Sequence, residues 1–428
     1  AAPVGSVTLL PPPSELRVEG LDAAVISEPR PRFSFAHGDT SQLPRGAAQA
    51  SYRLTVSAAL GAVDLRRGDA AGIQQGGRAR WGQLWDSGDV SSDACSQLEY
   101  AGPALAPFAR YSWSAEWQVA GGQRSARATS TFETGPMAMT DWRNASWLSG
   151  GTQLRAAWEL PAGAKVVRAR AYVAAPGCHA LLVNGATPQP DLRGVCPWVA
   201  GARSAVPDYA RSRTNVRFMT RDITALLNAT GGANALGLLS GHVMLVANHS
   251  AADVDKAKDP VFGTPLVMGV FMADLADGRR AFMATNSEAG WKQRDSYVTV
   301  SHAWATNIDW TKEEAGWATP VFQPGPQWTP AQLSPSRNAP RALGMPASTV
   351  LASHTPASVR ALPGGRHWLY TFERQIVGTV KVKALPSAAA GSLISIRSGE
   401  WLDDDHSKGA GPAAPCSSNP QPCKAHPG

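Results

Sequence analysis

Along residues 111–119 apolar and polar side chains alternate without a break. Tyr111, Trp113, Ala115, Trp117 and Val119 fall on one side, and Ser112, Ser114, Glu116 and Gln118 on the other. A repeat of two puts the apolar set on one face of a β-strand. A sheet with one greasy and one wet face is usually half of an antiparallel sandwich. The same alternation appears at Tyr52-Arg53-Leu54-Thr55-Val56, and shorter runs at 16–19, 85–90 and 132–135 read as further strands. In R-P-R-F-S-F, residues 30–35, Pro31 cannot donate to a ladder, which predicts an edge strand. Residues 61–82 are rich in Gly, Ala and Arg without periodicity and predict a loop insertion. About seven short strands within residues 14–136 predict a fibronectin- or immunoglobulin-like sandwich, behind a mobile Pro-rich lead over 1–13.

A second set of alternating runs begins after Asp141-Trp142. Strands are predicted over 167–173, 179–183, 216–222 and 235–239, and a hairpin runs from 266–274 through Asp277-Gly278 to 280–284. Asn184-Gly185 marks a tight hairpin, because both residues tolerate positive φ. Residues 137–322 are best described as a jelly-roll sandwich of carbohydrate-binding type. Pro, Ser and Ala dominate 323–363, which predicts a linker. Alternation returns at 368–372, 377–382 and 393–397, then gives way to Asp403-Asp404-Asp405-His406 and a Gly-, Pro-, Ser- and Cys-containing tail. Three strands do not close a sandwich, so 364–428 reads as an incomplete third one. The fold class is all-β, tandem β-sandwiches, with no amphipathic helix of two clean turns and no fixed-period repeat.

Composition agrees with this: 15 Trp, 41 Gly, 33 Pro and only 17% charged residues in 428. A formal net charge of +7 raises the question of a polyanion partner. The basic residues are scattered, and runs such as Arg66-Arg67 and Arg279-Arg280 are only pairs, which argues against nucleic acid. No apolar run approaches the roughly 20 residues of a membrane span. Sequons at Asn144, Asn228 and Asn248, and an opening Ala-Ala-Pro of the kind left by signal-peptide removal, predict a secreted, extracellular glycoprotein. In that setting Cys178–Cys196 and Cys416–Cys423 are candidate disulfides with Cys95 unpaired, and free thiols are the alternative.

A further signal is the order of short motifs along the chain. L-R-V-E, R-P-R-F-S-F, A-S-Y-R-L-T-V, L-W-D-S-G-D-V, A-R-Y-S-W and F-E-T-G fall in the first module. D-W, L-L-V-N-G, D-Y (Asp208, Tyr209), R-D-I-T-A-L-L and A-L-G-L-L fall in the second, and F-E-R-Q-I-V-G-T-V-K-V with R-S-G-E-W-L-D-D-D in the third. Taken in order, these motifs resemble the N-terminal half of the bacterial-type α-L-rhamnosidases, and the resemblance implies that the hydrolytic carboxylates belong to an α/α toroid following the third module, so no catalytic residue carries over. Glycoside hydrolysis needs two opposed carboxyl groups. The run Asp403 to Asp405 is better read as a solvated turn, because three adjacent side chains point in different directions.

In some members the second module resembles a calcium-dependent rhamnose-binding module. That implies Asn184, Asp191, Trp198 and Asp208 as glycan or calcium candidates, since hard cations take oxygens and sugars take amides, carboxylates and a flat aromatic ring. The alternative is turn geometry for Asn184, a loop cap for Asp191 and core packing for Trp198. The chain departs from the family where Ser240-Gly241-His242-Val243-Met244 replaces G-D-G-W-Y-R-G, and where 199–206 is inserted. Two functions follow. One is a set of sandwich modules that position or anchor a glycan-hydrolysing domain, no cofactor being required and calcium the candidate ion. The other is a non-enzymatic structural or adhesive glycoprotein reusing them, with neighbouring protein chains as partners.

Overall fold

A computed structural model describes residues 10–397 except 23, 42, 44, 61–79, 176–178, 189–216, 241–265, 303–304, 337–338, 345–350, 363–366, 377–379, 381 and 383–391. Among them the only helical elements are 3-10 turns at Met139–Trp142, Thr224–Leu226 and Trp310–Lys312; everything else regular is strand. The chain forms two compact units, one made of Ala1–Leu245 with Gly263–Ala347, the other of Val246–Phe262 with Ser348–Gly428.

The first unit opens with an immunoglobulin-like sandwich. One sheet runs in the order Val25–Ile26, Ala128–Thr134, Arg110–Val119, Gln49–Leu60, Arg80–Asp86, with Val90–Ser91 also on Gln49–Leu60. The facing sheet runs Ser14–Val18, Arg32–Ala36, Leu98–Glu99. Between them Phe33 lies 4.6 Å from Trp113 and 6.0 Å from Phe132, and all three are buried. Each such ring contributes roughly 1.5–3 kcal/mol by leaving water.

Two local expectations change here. Arg32–Ala36 is the central strand of its sheet rather than an edge, because Pro31 sits one residue before the ladder and offers only its carbonyl, to Tyr100 N. The polar face of Arg110–Val119 is not wet: Ser114 and Glu116 are buried. Ser114 Oγ shares a 2.6 Å hydrogen bond with Thr55 Oγ1, and Glu116 lies 3.3 Å from Arg127 and 3.5 Å from Arg124. Long arginine stems cover that face, and their guanidiniums satisfy the carboxylate.

The second sandwich has two five-stranded sheets. One runs His179–Val183, Gly232–Ser240, Gln153–Leu160, Lys292–Arg294, Thr329–Pro330; the other runs Arg280–Ala284, Met268–Leu275, Val166–Ala174, Arg217–Asp222, Arg341–Ala342. Alternate residues face inward from both, including Leu154, Ala156 and Trp158 from the first and Ala169, Ala171 and Val173 from the second. The segment expected to be a linker is partly built into this sandwich. Gln332–Pro335 pairs with Ser146–Ser149, Thr329–Pro330 with Lys292–Arg294, and Arg341–Ala342 runs parallel to Arg217–Asp222. Its strands are two to four residues long, two of the three containing proline, and too short to show a period.

In the second unit the described regular structure is one antiparallel hairpin, Ser358–Ala361 with Trp368–Thr371. The strand expected at 393–397 forms no ladder, and Leu393 and Ile396 are exposed. Most of 377–382 and all of 398–428 lie outside the described residues.

Candidate functional site

In the strand Val166–Ala174 the inward residues are Ala169, Ala171 and Val173, so Arg168, Arg170 and Tyr172 point out of the second sandwich. They meet the first sandwich instead of solvent. Glu133, from the strand Ala128–Thr134, accepts from Arg168 Nη2 at 3.0 Å and from Arg170 Nε and Nη2, each at 2.9 Å. Arg168 Nη1 also donates to Asp274 Oδ2 at 2.9 Å and to the Phe108 carbonyl at 3.3 Å. Asp274 in turn accepts from Arg280 Nε at 2.6 Å, and Arg170 pairs with Asp222 at 2.8 Å.

Around this network Phe108 packs edge-on against Tyr172 at 5.4 Å and against Phe282 at 5.2 Å. Trp142, on the turn joining the two sandwiches, packs on Phe218 at 5.6 Å. Asp141 holds that turn by accepting from the backbone N of Met137 and Ala138, both at 2.9 Å. Ala342 N donates to Ser27 Oγ across the same joint at 2.9 Å.

Burial pushes the Glu133 carboxyl up, but the Arg168 and Arg170 guanidiniums outweigh it and hold the group below the ordinary carboxylate value. Burial likewise lowers the Arg168 guanidinium, and Glu133, with Asp274 behind it, raises it above its usual value on balance. Two charges removed from water in this way are stable only when each has a partner of opposite sign, which both have, while Arg168 Nε is left without a hydrogen-bond acceptor. The Tyr172 phenol, fully buried, is pushed well up. None of Glu133, Arg168, Arg170 or Asp274 stood out in the sequence. The available signal was two arginines on the same face of an otherwise apolar strand, a pattern that normally marks a solvated face.

Of the sequence candidates, Asn184 is described, whereas Asp191, Trp198 and Asp208 lie outside the described residues. Asn184 and Gly185 take φ of 52° and 82°, and Val183 and Ala186 close the two-residue turn with paired backbone hydrogen bonds. The Asn184 amide is turned inward: Nδ2 donates to the Leu226 carbonyl at 2.9 Å and to Asn234 Oδ1 at 2.8 Å. Its Oδ1 accepts from Ala235 N at 2.8 Å. The side chain thus ties the turn to neighbouring backbone. No group of three or more His, Cys, Asp or Glu side chains among the described residues is arranged to hold a metal ion.

Asn144 and Asn228 are exposed, and Asn248 falls outside the described residues. Cys95 is a free, half-buried thiol, while Cys178, Cys196, Cys416 and Cys423 are outside them. Near the edge of the second sandwich His179 is half-buried, with its Nδ1 shut away from water and without a partner. Burial, reinforced by the Arg221 charge, lowers its pKa to about 4.

Two sandwiches clamped through buried ion pairs define a multimodular β-sandwich protein. Residues 13–138 match the family described as Rha78A-like, N-terminal immunoglobulin domain, and residues 164–360 the Alpha-L-rhamnosidase N-terminal domain. An α-L-rhamnosidase of Streptomyces avermitilis is 34% identical over 142 residues, which are 33% of this chain and 11% of that protein. The structure of the Dictyoglumus thermophilum α-L-rhamnosidase matches at TM-score 0.60 and 20% identity, over 82% of this chain and 38% of its own. That of the Aspergillus terreus enzyme matches at 0.59 and 18%, over 83% of this chain and 38% of its own. At such identity the two structures establish a shared fold. The chain carries the N-terminal domains of the α-L-rhamnosidases, and it spans about a tenth of the curated relative's length.

Proposed function

We propose that the two sandwiches act as a non-catalytic arm of a secreted, rhamnosidase-related glycoprotein, positioning a glycan-hydrolysing domain and helping it engage its glycan. The observation that carries this reading is the joint. Glu133 is held by Arg168 and Arg170, so the first sandwich meets the second through buried charge instead of a flexible linker. A part that positions another must not reorient freely, and a largely desolvated network of ion pairs, satisfied except at Arg168 Nε, gives a defined geometry. The exposed sequons Asn144 and Asn228 support the secreted part of the proposal.

Backbone NMR relaxation on the whole 428-residue chain tests it. One shared rotational correlation time for the two sandwiches is expected, and independent tumbling would remove the positioning role. An aryl α-L-rhamnoside offered to the same chain should not turn over; turnover would relocate the activity into these domains.

A second reading, a structural or adhesive glycoprotein, is favoured by one feature. Val359, Trp368 and Tyr370 on the second unit's hairpin are each more than half exposed. Two strands with uncovered apolar side chains are marginal alone and suit a neighbouring protein surface. Concentration-dependent association in sedimentation velocity, lost in Trp368→Ser/Tyr370→Ser, would favour this reading.

A further inference from the structure

The joint uses the outer face of one sheet of the second sandwich; the outer face of the other sheet is roofed by residues 309–328. Trp317, Trp328 and Ala318 are buried against Leu239 there, and Arg155 pins the roof by donating to the carbonyls of Trp317, Thr319 and Phe322 at 2.8, 3.0 and 3.1 Å. Glu314 binds Arg294 and accepts from Trp328 Nε1 at 2.9 Å. Every tryptophan in this roof but one is buried. Trp310 is 61% exposed, and among the described residues of the first unit no other large aromatic side chain is comparably open.

Trp310 is exposed yet held. Its ring stacks on the buried Tyr297 at 5.0 Å and 17°. Asp309 N donates to the Tyr297 carbonyl at 2.7 Å, and Asp309 Oδ1 caps the turn by accepting from Thr311 N at 3.1 Å and Thr311 Oγ1 at 2.6 Å. The result is a flat ring with one face on tyrosine and the other in water. Lys312, 3.7 Å from Asp309, and the exposed Glu313 flank it. Aromatic rings pack against apolar C–H surface, while neighbouring charged groups bond hydroxyls; a pyranose offers both on one molecule.

We propose that Trp310 is a stacking platform for a neutral pyranose residue of a glycan, with Asp309, Lys312 and Glu313 as the groups that meet its hydroxyls. The proposal rests on the functional reading above only for the choice of probe. Titration of the full chain with methyl α-L-rhamnopyranoside, following the Trp310 indole N–H by NMR, should give a saturable shift with a Kd of about millimolar order. Read from saturation transfer to the glycoside, because these variants lack the indole signal, Trp310→Ala should weaken binding at least tenfold without lowering the thermal midpoint, and Trp310→Phe should keep part of it. Lys312→Ala, which leaves the ring in place, should weaken binding less. The absence of a saturable shift with this glycoside and with methyl α-D-glucopyranoside, or binding untouched by Trp310→Ala, overturns the proposal. Either result leaves the relaxation test of the joint unaffected, so the two ideas fail separately.

Discussion

Gly135 lies so close to Phe218 that a Cβ built on it would stand 2.8 Å from Cζ of that ring, and 3.1 Å from the Tyr172 ring. The last residue of F-E-T-G is therefore glycine because the second sandwich's aromatics press on the first sandwich's exit. Gly135→Ala should cost about 1–3 kcal/mol by overpacking. Gly135→Ala/Phe218→Leu, which shortens the ring side chain, should recover part of that loss in urea denaturation. A neutral Gly135→Ala variant would mean that the joint yields easily.

Glu133→Gln removes the charge shared by Arg168 and Arg170 and leaves two guanidiniums buried with less compensation. The expected loss is about 3 kcal/mol. The pH dependence has a definite sign. The folded pKa is depressed, so the stabilisation is present above the unfolded value near about 4.3 and disappears as pH falls through the folded value. Urea midpoints measured from neutral to acid pH should converge for wild type and Glu133→Gln at the acid end.

His179 works in a different window. Its folded pKa of about 4 lies below the unfolded value of about 6.5, so the unfolded chain takes up the proton first. Stability should be full above about pH 6.5 and fall by about 3 kcal/mol towards pH 4. His179→Leu should flatten that slope; an unchanged slope would assign it to other groups.

Asn184→Ala strands the Leu226 carbonyl and the Ala235 amide and places alanine at a φ of 52°. A loss of about 2 kcal/mol or more is expected. Asn184→Gly keeps the turn without the side-chain bonds and should fall between. Because the amide already serves the protein, adding calcium should not change the wild-type melting temperature. A marked calcium-dependent rise would restore Asn184 as a ligand.

Much of the architecture was legible because a period of two and turn residues at fixed places are local properties. The strand around Trp113, the Asn184-Gly185 turn and the hairpin through Gly278 all follow from neighbours in the chain. The candidate site was far less legible. Asn184 marks its turn by its own conformational tolerance, but nothing nearby says that its amide faces Leu226 and Asn234. Trp310 sits in a stretch without alternation, so its exposure could not be separated from the burial of Trp317 and Trp328.

What the sequence alone determined is therefore the succession of all-β modules and the family they resemble. The short-range alternation of apolar and polar side chains dictates strands, and the order of motifs survives without any contact being known. Tertiary structure alone decided which polar residues are not at the surface. Arg168 and Arg170 look solvated on their own strand, and the first becomes buried and the second half-buried only when Glu133 and Asp274 arrive from elsewhere in the chain. It also decided that Pro-rich residues 329–342 close the second sandwich, because strands of two to four residues exist only where a neighbour from elsewhere in the chain supplies the ladder.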